Sequence, residues 1–294
     1  MLNHRPTITD WISILGLSAV WASAFVFIKI AAPVYGAVGL VFMRALISSI
    51  LLSALFIRRK HWLIIRKNLL SIFIIGATNV AIPFCCFAIS AYYINAGSMA
   101  VINGITPLFA FLFSMLFLGF TFRWIQLAGI LTGILGLIIF VGVNSLEFNL
   151  LANLSAVMGA MMYGVSMVYI YKLNFEDPKL MAAASMIAAA LCLTPLLFFF
   201  PIPFSEVTLN ATMSMIYLSI FCTGLVYIPY FKLIKNVGPV STSIIAILVP
   251  VFGVFWAYLL LQEEITLMMS IGCIFIVIGI MMTNVIGTNF EKNP

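Results

Sequence analysis

The chain has 294 residues, of which 64% are hydrophobic and only 7% charged, with a mean hydropathy of +1.22 and a formal net charge of +6. A water-soluble surface needs roughly a quarter of its residues charged, so a soluble globular domain is excluded. The apolar runs are continuous over about twenty residues rather than alternating, which excludes a β-barrel and leaves an all-α integral membrane protein.

Ten apolar segments are expected to cross the bilayer: Trp11–Ala32, Gly36–Ile57, Leu69–Tyr92, Ser98–Leu118, Trp124–Val143, Leu150–Tyr171, Leu180–Phe200, Ala211–Phe231, Val240–Leu261 and Leu267–Ile286. Arg5 and the triplet Ala22-Ser23-Ala24 give the first the look of a signal peptide. Its apolar character continues to Ala32, so it reads as an uncleaved helix. It carries Trp21, Ser23 and, near its outer end, Lys29, whose long stem can snorkel to the interface. The second segment holds Arg44, roughly 12 Å from its outer end at 1.5 Å per residue. A charge at that depth faces a cavity or protein. It either grips a substrate carboxylate or caps backbone carbonyls at a helix end.

Further along, the third segment brings Asn79 and Pro83, the fourth Asn103 and Pro107, the sixth Tyr163, and the seventh Pro195. The eighth brings Tyr227, Pro229 and Tyr230, and the ninth Ser243 and Pro250. Trp21, Ser23, Arg44, Asn79, Asn103, Tyr163, Tyr227, Tyr230 and Ser243 form the expected substrate pathway. An aromatic-lined cavity with a few amides suits small amphipathic solutes such as amino acids. Each proline inside a span removes a backbone hydrogen bond and favours a bend. Pro83, Pro107, Pro229 and Pro250 are expected to kink gating helices. In the fifth segment Gly129, Gly133 and Gly136 form a small-residue stripe, echoed by Gly272 and Gly279 in the tenth. Such stripes pack helices closely, within one chain or in a homodimer, and these two segments are placed outside the pathway.

With the N-terminus in the cytoplasm and ten crossings, the inside segments collect every Lys and Arg except Lys29 and Arg44, twelve of the fourteen in all. The outside loops hold Glu147, Glu206, Glu263 and Glu264 and no basic residue. That bias puts both termini inside, and the positive charge bears on topology rather than on nucleic acid.

One sequence offset of 143 pairs Pro107 with Pro250, Leu118 with Leu261, Gly129 with Gly272, Gly136 with Gly279, Ser23 with Ser166 and Lys29 with Lys172. The chain therefore reads as two repeats, residues 1–146 and 147–294. Five crossings per repeat turn the second half upside down. Inverted repeats are a construction of secondary transporters, with a shared site near the midplane.

Several chemistries find no support. The cysteines Cys85, Cys86, Cys192, Cys222 and Cys273 all fall in apolar runs and read as packing residues, and no metal site or cofactor is expected. No Asp or Glu lies deep in a span and both histidines, His4 and His61, are cytoplasmic, which argues against a buried proton relay. An integral-membrane enzyme would need clustered catalytic groups. The adjacent acids Glu176-Asp177 and Glu263-Glu264 lack histidine partners.

Particular motifs also resemble the EamA-like members of the drug/metabolite transporter superfamily, over about the whole chain. These are Trp21-Ala22-Ser23-Ala24-Phe25 followed by Lys29, Arg44-Ala45-Leu46, Pro107-Leu108-Phe109 and Leu118-Gly119. Phe120 stands where that family's pattern has Glu. In the second half Gln262 replaces Gly while Glu263 is kept. The resemblance implies a ten-helix, two-repeat transporter of the cell inner membrane. Export of an amino acid or related metabolite is the expected activity, with an uptake permease as the alternative.

Overall fold

The structure, a computed structural model, describes residues 7–119, 124–141, 149–175, 177–204, 207–242 and 244–284. Arg5, Phe120, Arg123, Glu147, Glu176, Glu206, Ser243 and Lys292 lie outside the described residues. Helices make up the regular structure of the described residues, with no strand among them. They are α1 (Ile8–Tyr35), α2 (Ala37–Phe56), α3 (Leu69–Ser90), α4 (Ala96–Leu118), α5 (Trp124–Val141), α6 (Leu150–Leu173), α7 (Pro178–Phe198), α8 (Leu209–Gly238), α9 (Ile244–Leu261) and α10 (Leu267–Asn284). A short helix, Trp62–Lys67, occupies the basic link between α2 and α3.

Seven of these, α1 to α4 and α6 to α8, are long and apolar enough to cross a membrane; α5, α9 and α10 contain shorter apolar stretches. Large apolar side chains face outward all round the bundle, including Leu131 and Ile134 of α5, Val251 and Phe255 of α9, and Ile274 and Ile278 of α10. Such a surface is stable only against lipid. The protein is a multi-pass membrane protein.

The helix boundaries follow local chemistry. Thr7 and Asp10 form a capping box at the start of α1, with Thr7 N–H donating to Asp10 Oδ2 at 2.9 Å and Asp10 N–H donating to Thr7 Oγ1 at 3.3 Å. Asn95, Asn149 and Thr208 cap α4, α6 and α8 in the same manner through their side-chain oxygens. Gly36, at φ 74°, turns the chain sharply between α1 and α2, and Gly238, at φ 83°, ends α8.

Four helices are irregular where the periodicity predicts regular ones, α7 through its 3-10 end at Thr194–Phe198. In α3 residues Gly76–Ala81 are π-helical, and in α8 so are Leu218–Leu225. In α4 the helix breaks at Gly104-Ile105, just before Pro107. The missing Pro107 N–H frees the carbonyl of Asn103, and the Thr106 hydroxyl covers it at 2.7 Å. Pro83 likewise frees the carbonyl of Asn79, which accepts the Tyr227 hydroxyl at 3.1 Å. Pro250 sits inside an unbroken α9.

Packing partners are specific. α5 lies against α10, α2 against α7, and α9 against α1 and the first half of α4. α6 packs on α3 and on the second half of α4, while α1 packs on α8. The glycine stripes are used within the chain. A β-carbon on Gly136 would sit 2.6 Å from the Ile276 amide nitrogen, and one on Gly279 would sit 2.5 Å from the Gly133 amide nitrogen. Backbone meets backbone there.

The α4–α9 crossing is similarly tight at one end and sparse at the other. Gly253 abuts Ala100, and a β-carbon on Gly104 would reach Pro250 Cγ at 2.6 Å. Just past the end of α9, the Glu263 carboxylate accepts the backbone N–H groups of Ala96 at 2.9 Å and Gly97 at 3.0 Å, capping α4. By contrast, α9 barely touches Thr106–Leu118, the second half of α4.

Candidate functional site

Where α1, α2, α3, α4, α6, α8 and α9 converge they enclose a cavity of about 60 Å³, room for about four to six waters at ~10–15 Å³ each. Among the described residues, none of α5, α7 or α10 contributes to its wall. Of the residues expected on the pathway, Trp21, Arg44, Asn103, Tyr163, Tyr227 and Tyr230 line this one cavity. Ser23 and Asn79 do not, and Ser243 lies outside the described residues.

Arg44 is the unusual group. It is 2% exposed and lies deep in α2. Its Nε and Nη2 donate to one oxygen, Thr223 Oγ1, at 3.3 and 3.0 Å. The guanidinium carbon lies 4.0 Å from the centre of the Phe84 ring, a cation–π contact. Nη1 is buried without a hydrogen-bond partner. The only carboxylates among the described residues, Asp10, Asp177, Glu263 and Glu264, all stand at helix ends. None forms an ion pair with Arg44, and its hydrogen bonds reach no helix-end carbonyl. A buried cation without a counter-charge among the described residues is costly, and Nη1 has hydrogen bonds left to donate.

Around it stands an aromatic wall. The Trp21 indole donates to the Cys222 carbonyl at 3.0 Å and meets Tyr230 edge-on at 4.9 Å and Tyr227 at 5.9 Å. Tyr163 stacks on Phe87 at 6.2 Å. Asn79, fully buried in the π-helical turn of α3, stands behind this wall and donates through Nδ2 to Tyr230 Oη at 3.3 Å. Ser23 donates to the Val20 carbonyl and shares a 3.0 Å hydrogen bond with Tyr217, so its hydroxyl is engaged beside the cavity. Lys29 turns inward rather than to the interface, donating to the carbonyls of Ala91 and Ile94 at 2.9 and 2.8 Å at the end of α3.

The wall also includes Phe84, Phe87, Thr106 and Cys222, and Thr223 stands directly behind Arg44. None of these is singled out by the sequence. A signal existed for Thr106, a hydroxyl immediately before a proline that frees a carbonyl three residues back. Phe84 and Phe87 follow Pro83 one turn apart. Cys222 and Thr223 sit in an apolar run with no such mark.

Comparison with known proteins agrees with this architecture. The model of the EamA-like transporter family matches twice, at residues 9–142 and 150–285. The uncharacterized transporter YoaV of Bacillus subtilis (strain 168) is 24% identical over 281 residues, covering 92% of this chain and 95% of that protein. A probable terminal-alkyne amino-acid exporter of Streptantibioticus cattleyicolor is 24% identical over 269 residues, covering 90% of this chain and 89% of its own. One solved crystal structure shares the fold with a TM-score of 0.65 at 16% identity, over 97% of this chain and 99% of the other. Two family matches that together span nearly the whole sequence leave one assignment: the chain belongs to the EamA-like transporter family.

Proposed function

We propose that the protein is a secondary transporter that moves a small carboxylate-bearing metabolite, amino-acid-like and outward bound, through the cavity at Arg44. The observation that carries the substrate class is the buried guanidinium with an unpartnered Nη1 and no acidic neighbour among the described residues, set among aromatic rings. An incoming carboxylate supplies the missing charge and accepts the missing hydrogen bonds. The aromatic wall accommodates the apolar remainder. The name of the relative from S. cattleyicolor supports an amino acid as cargo and export as direction.

Ten crossings, arranged as inverted repeats 1–146 and 147–294, complete the reading. Each repeat carries one family match, and the two π-helical turns, Gly76–Ala81 and Leu218–Leu225, fall at equivalent places. The packing pattern supports it too. Numbering each helix with its partner five later, α5–α10, α2–α7 and α4–α9 are self-paired, α1–α9 mirrors α6–α4, and α3–α6 mirrors α8–α1. The basic residues between α2 and α3, with Lys172, Lys179, Lys232 and Lys235, support a cytoplasmic position for that end and for both termini, in the cell inner membrane. In this orientation the Glu263 end of the α4–α9 crossing is the closed outer gate. Alternating access then consists of parting α4 and α9 at one end while they meet at the other.

Counterflow in proteoliposomes, with a panel of labelled L-amino acids, tests the reading. Exchange of at least one, saturable and competed by its unlabelled form, is the expected result. Empty-liposome rates for the whole panel would contradict the proposed cargo.

A further inference from the structure

We propose that Thr223 is the positioning residue for Arg44, aiming the free edge of the guanidinium at the substrate; this rests on the carboxylate reading above. The argument starts from the π-helical turn Leu218–Leu225. Within it the Thr223 hydroxyl donates to the carbonyl of Leu218, five residues back, at 2.7 Å. That commits its single proton, so the oxygen has only acceptor capacity left. Both Arg44 contacts, from Nε and Nη2, land on that oxygen.

Nε and Nη2 form one edge of the planar fork. Holding that edge leaves the Nη1 side facing away from Thr223, and Nη1 is the buried donor without a partner. Phe84 holds the flat face. The anchor is also neutral. A carboxylate in place of Thr223 would orient Arg44 but cancel its charge, whereas a hydroxyl orients it and leaves the charge for an anion.

The duplicated architecture supplies an independent argument. Offset by 143, Arg44 corresponds to Ile187 and Thr223 to Val80, an apolar pair at the repeat-related place, again with one residue from each half. Val80 is fully buried in the α3 π-helical turn. The turn itself therefore forms without a hydroxyl at that place. An Arg–Thr pair present at only one of the two repeat-related places is matched to a ligand rather than to the fold. The same comparison indicates that Thr223→Val will be accepted by the turn.

The test measures the affinity of the purified protein for L-leucine and L-phenylalanine, each against its carboxamide, together with melting temperature. The wild type is expected to prefer the acid, and Arg44→Gln to abolish that preference. Thr223→Val is expected to cut the acid-over-amide preference about 10-fold while leaving amide binding unchanged. Thr223→Ser, which keeps the hydroxyl, should retain it. Thr223→Ala provides a second hydroxyl-free variant should the valine protein fail to fold. Full acid preference in the hydroxyl-free variants, or an equal loss for acid and amide, would overturn the positioning role while Arg44→Gln still upholds the carboxylate reading. A wild type that prefers neither acid would overturn both.

Discussion

Removing one hydroxyl, by Tyr227→Phe, isolates the link between the proline kink of α3 and the opposite half of the chain. Tyr227 is 1% exposed, and its hydroxyl donates to the Asn79 carbonyl, which Pro83 leaves without its usual partner. Phenylalanine keeps the ring and hence the contacts to Trp21 at 5.9 Å and Tyr230 at 5.5 Å. The loss is then that of a buried carbonyl left unsatisfied, about 1–3 kcal/mol. Pro83→Ala offers a new N–H to the same carbonyl, so in that background Tyr227→Phe should cost far less. The double-mutant cycle should show a coupling of about 1–2 kcal/mol. Denaturation of the four purified proteins in one mixed-micelle condition measures it. Equal stability of Tyr227→Phe and wild type, or the same loss in both backgrounds, would refute the reasoning.

Pro107→Ala and Pro250→Ala each return a backbone N–H to the α4–α9 crossing; transport should fall while expression and melting temperature persist, and unchanged rates in both would make the prolines incidental. With no carboxylate among the described cavity residues, counterflow should proceed at equal pH on both sides with a protonophore present. Uphill uptake driven by a pH step would contradict this. In a thiol-free background, a cysteine at Glu206 should react with an impermeant reagent added to intact cells and one at Lys235 should not; the reverse pattern would invert the proposed topology.

How much of this was legible in the sequence depends on what a single helix reveals about itself. Depth along a helix was readable, so Arg44 stood out as a charge too far from water to be ordinary. Face was not. Asn79 and Asn103 are the same residue type at similar depth, yet Asn103 lines the cavity and Asn79 stands behind Tyr230. Ser23 lies beside the cavity rather than in its wall, and its partner Tyr217 comes from a distant segment. Thr223 was invisible because its bond to Leu218 follows the five-residue spacing of a π-helical turn, which 3.6-residue periodicity does not reveal. The glycine stripes announced close packing, but only the structure shows that Gly136 and Gly279 serve one α5–α10 contact within the chain.

The central claim, that Arg44 grips the carboxylate of the transported solute, is tested most directly by Arg44→Lys. Lysine keeps the charge but loses the planar fork. The charge-assisted contact is worth roughly 1.5–3 kcal/mol, so apparent affinity in counterflow should weaken about 10- to 100-fold at 1.4 kcal/mol per decade, with the melting temperature held. A lower melting temperature with wild-type affinity in the surviving protein would contradict the account and make Arg44 a structural residue.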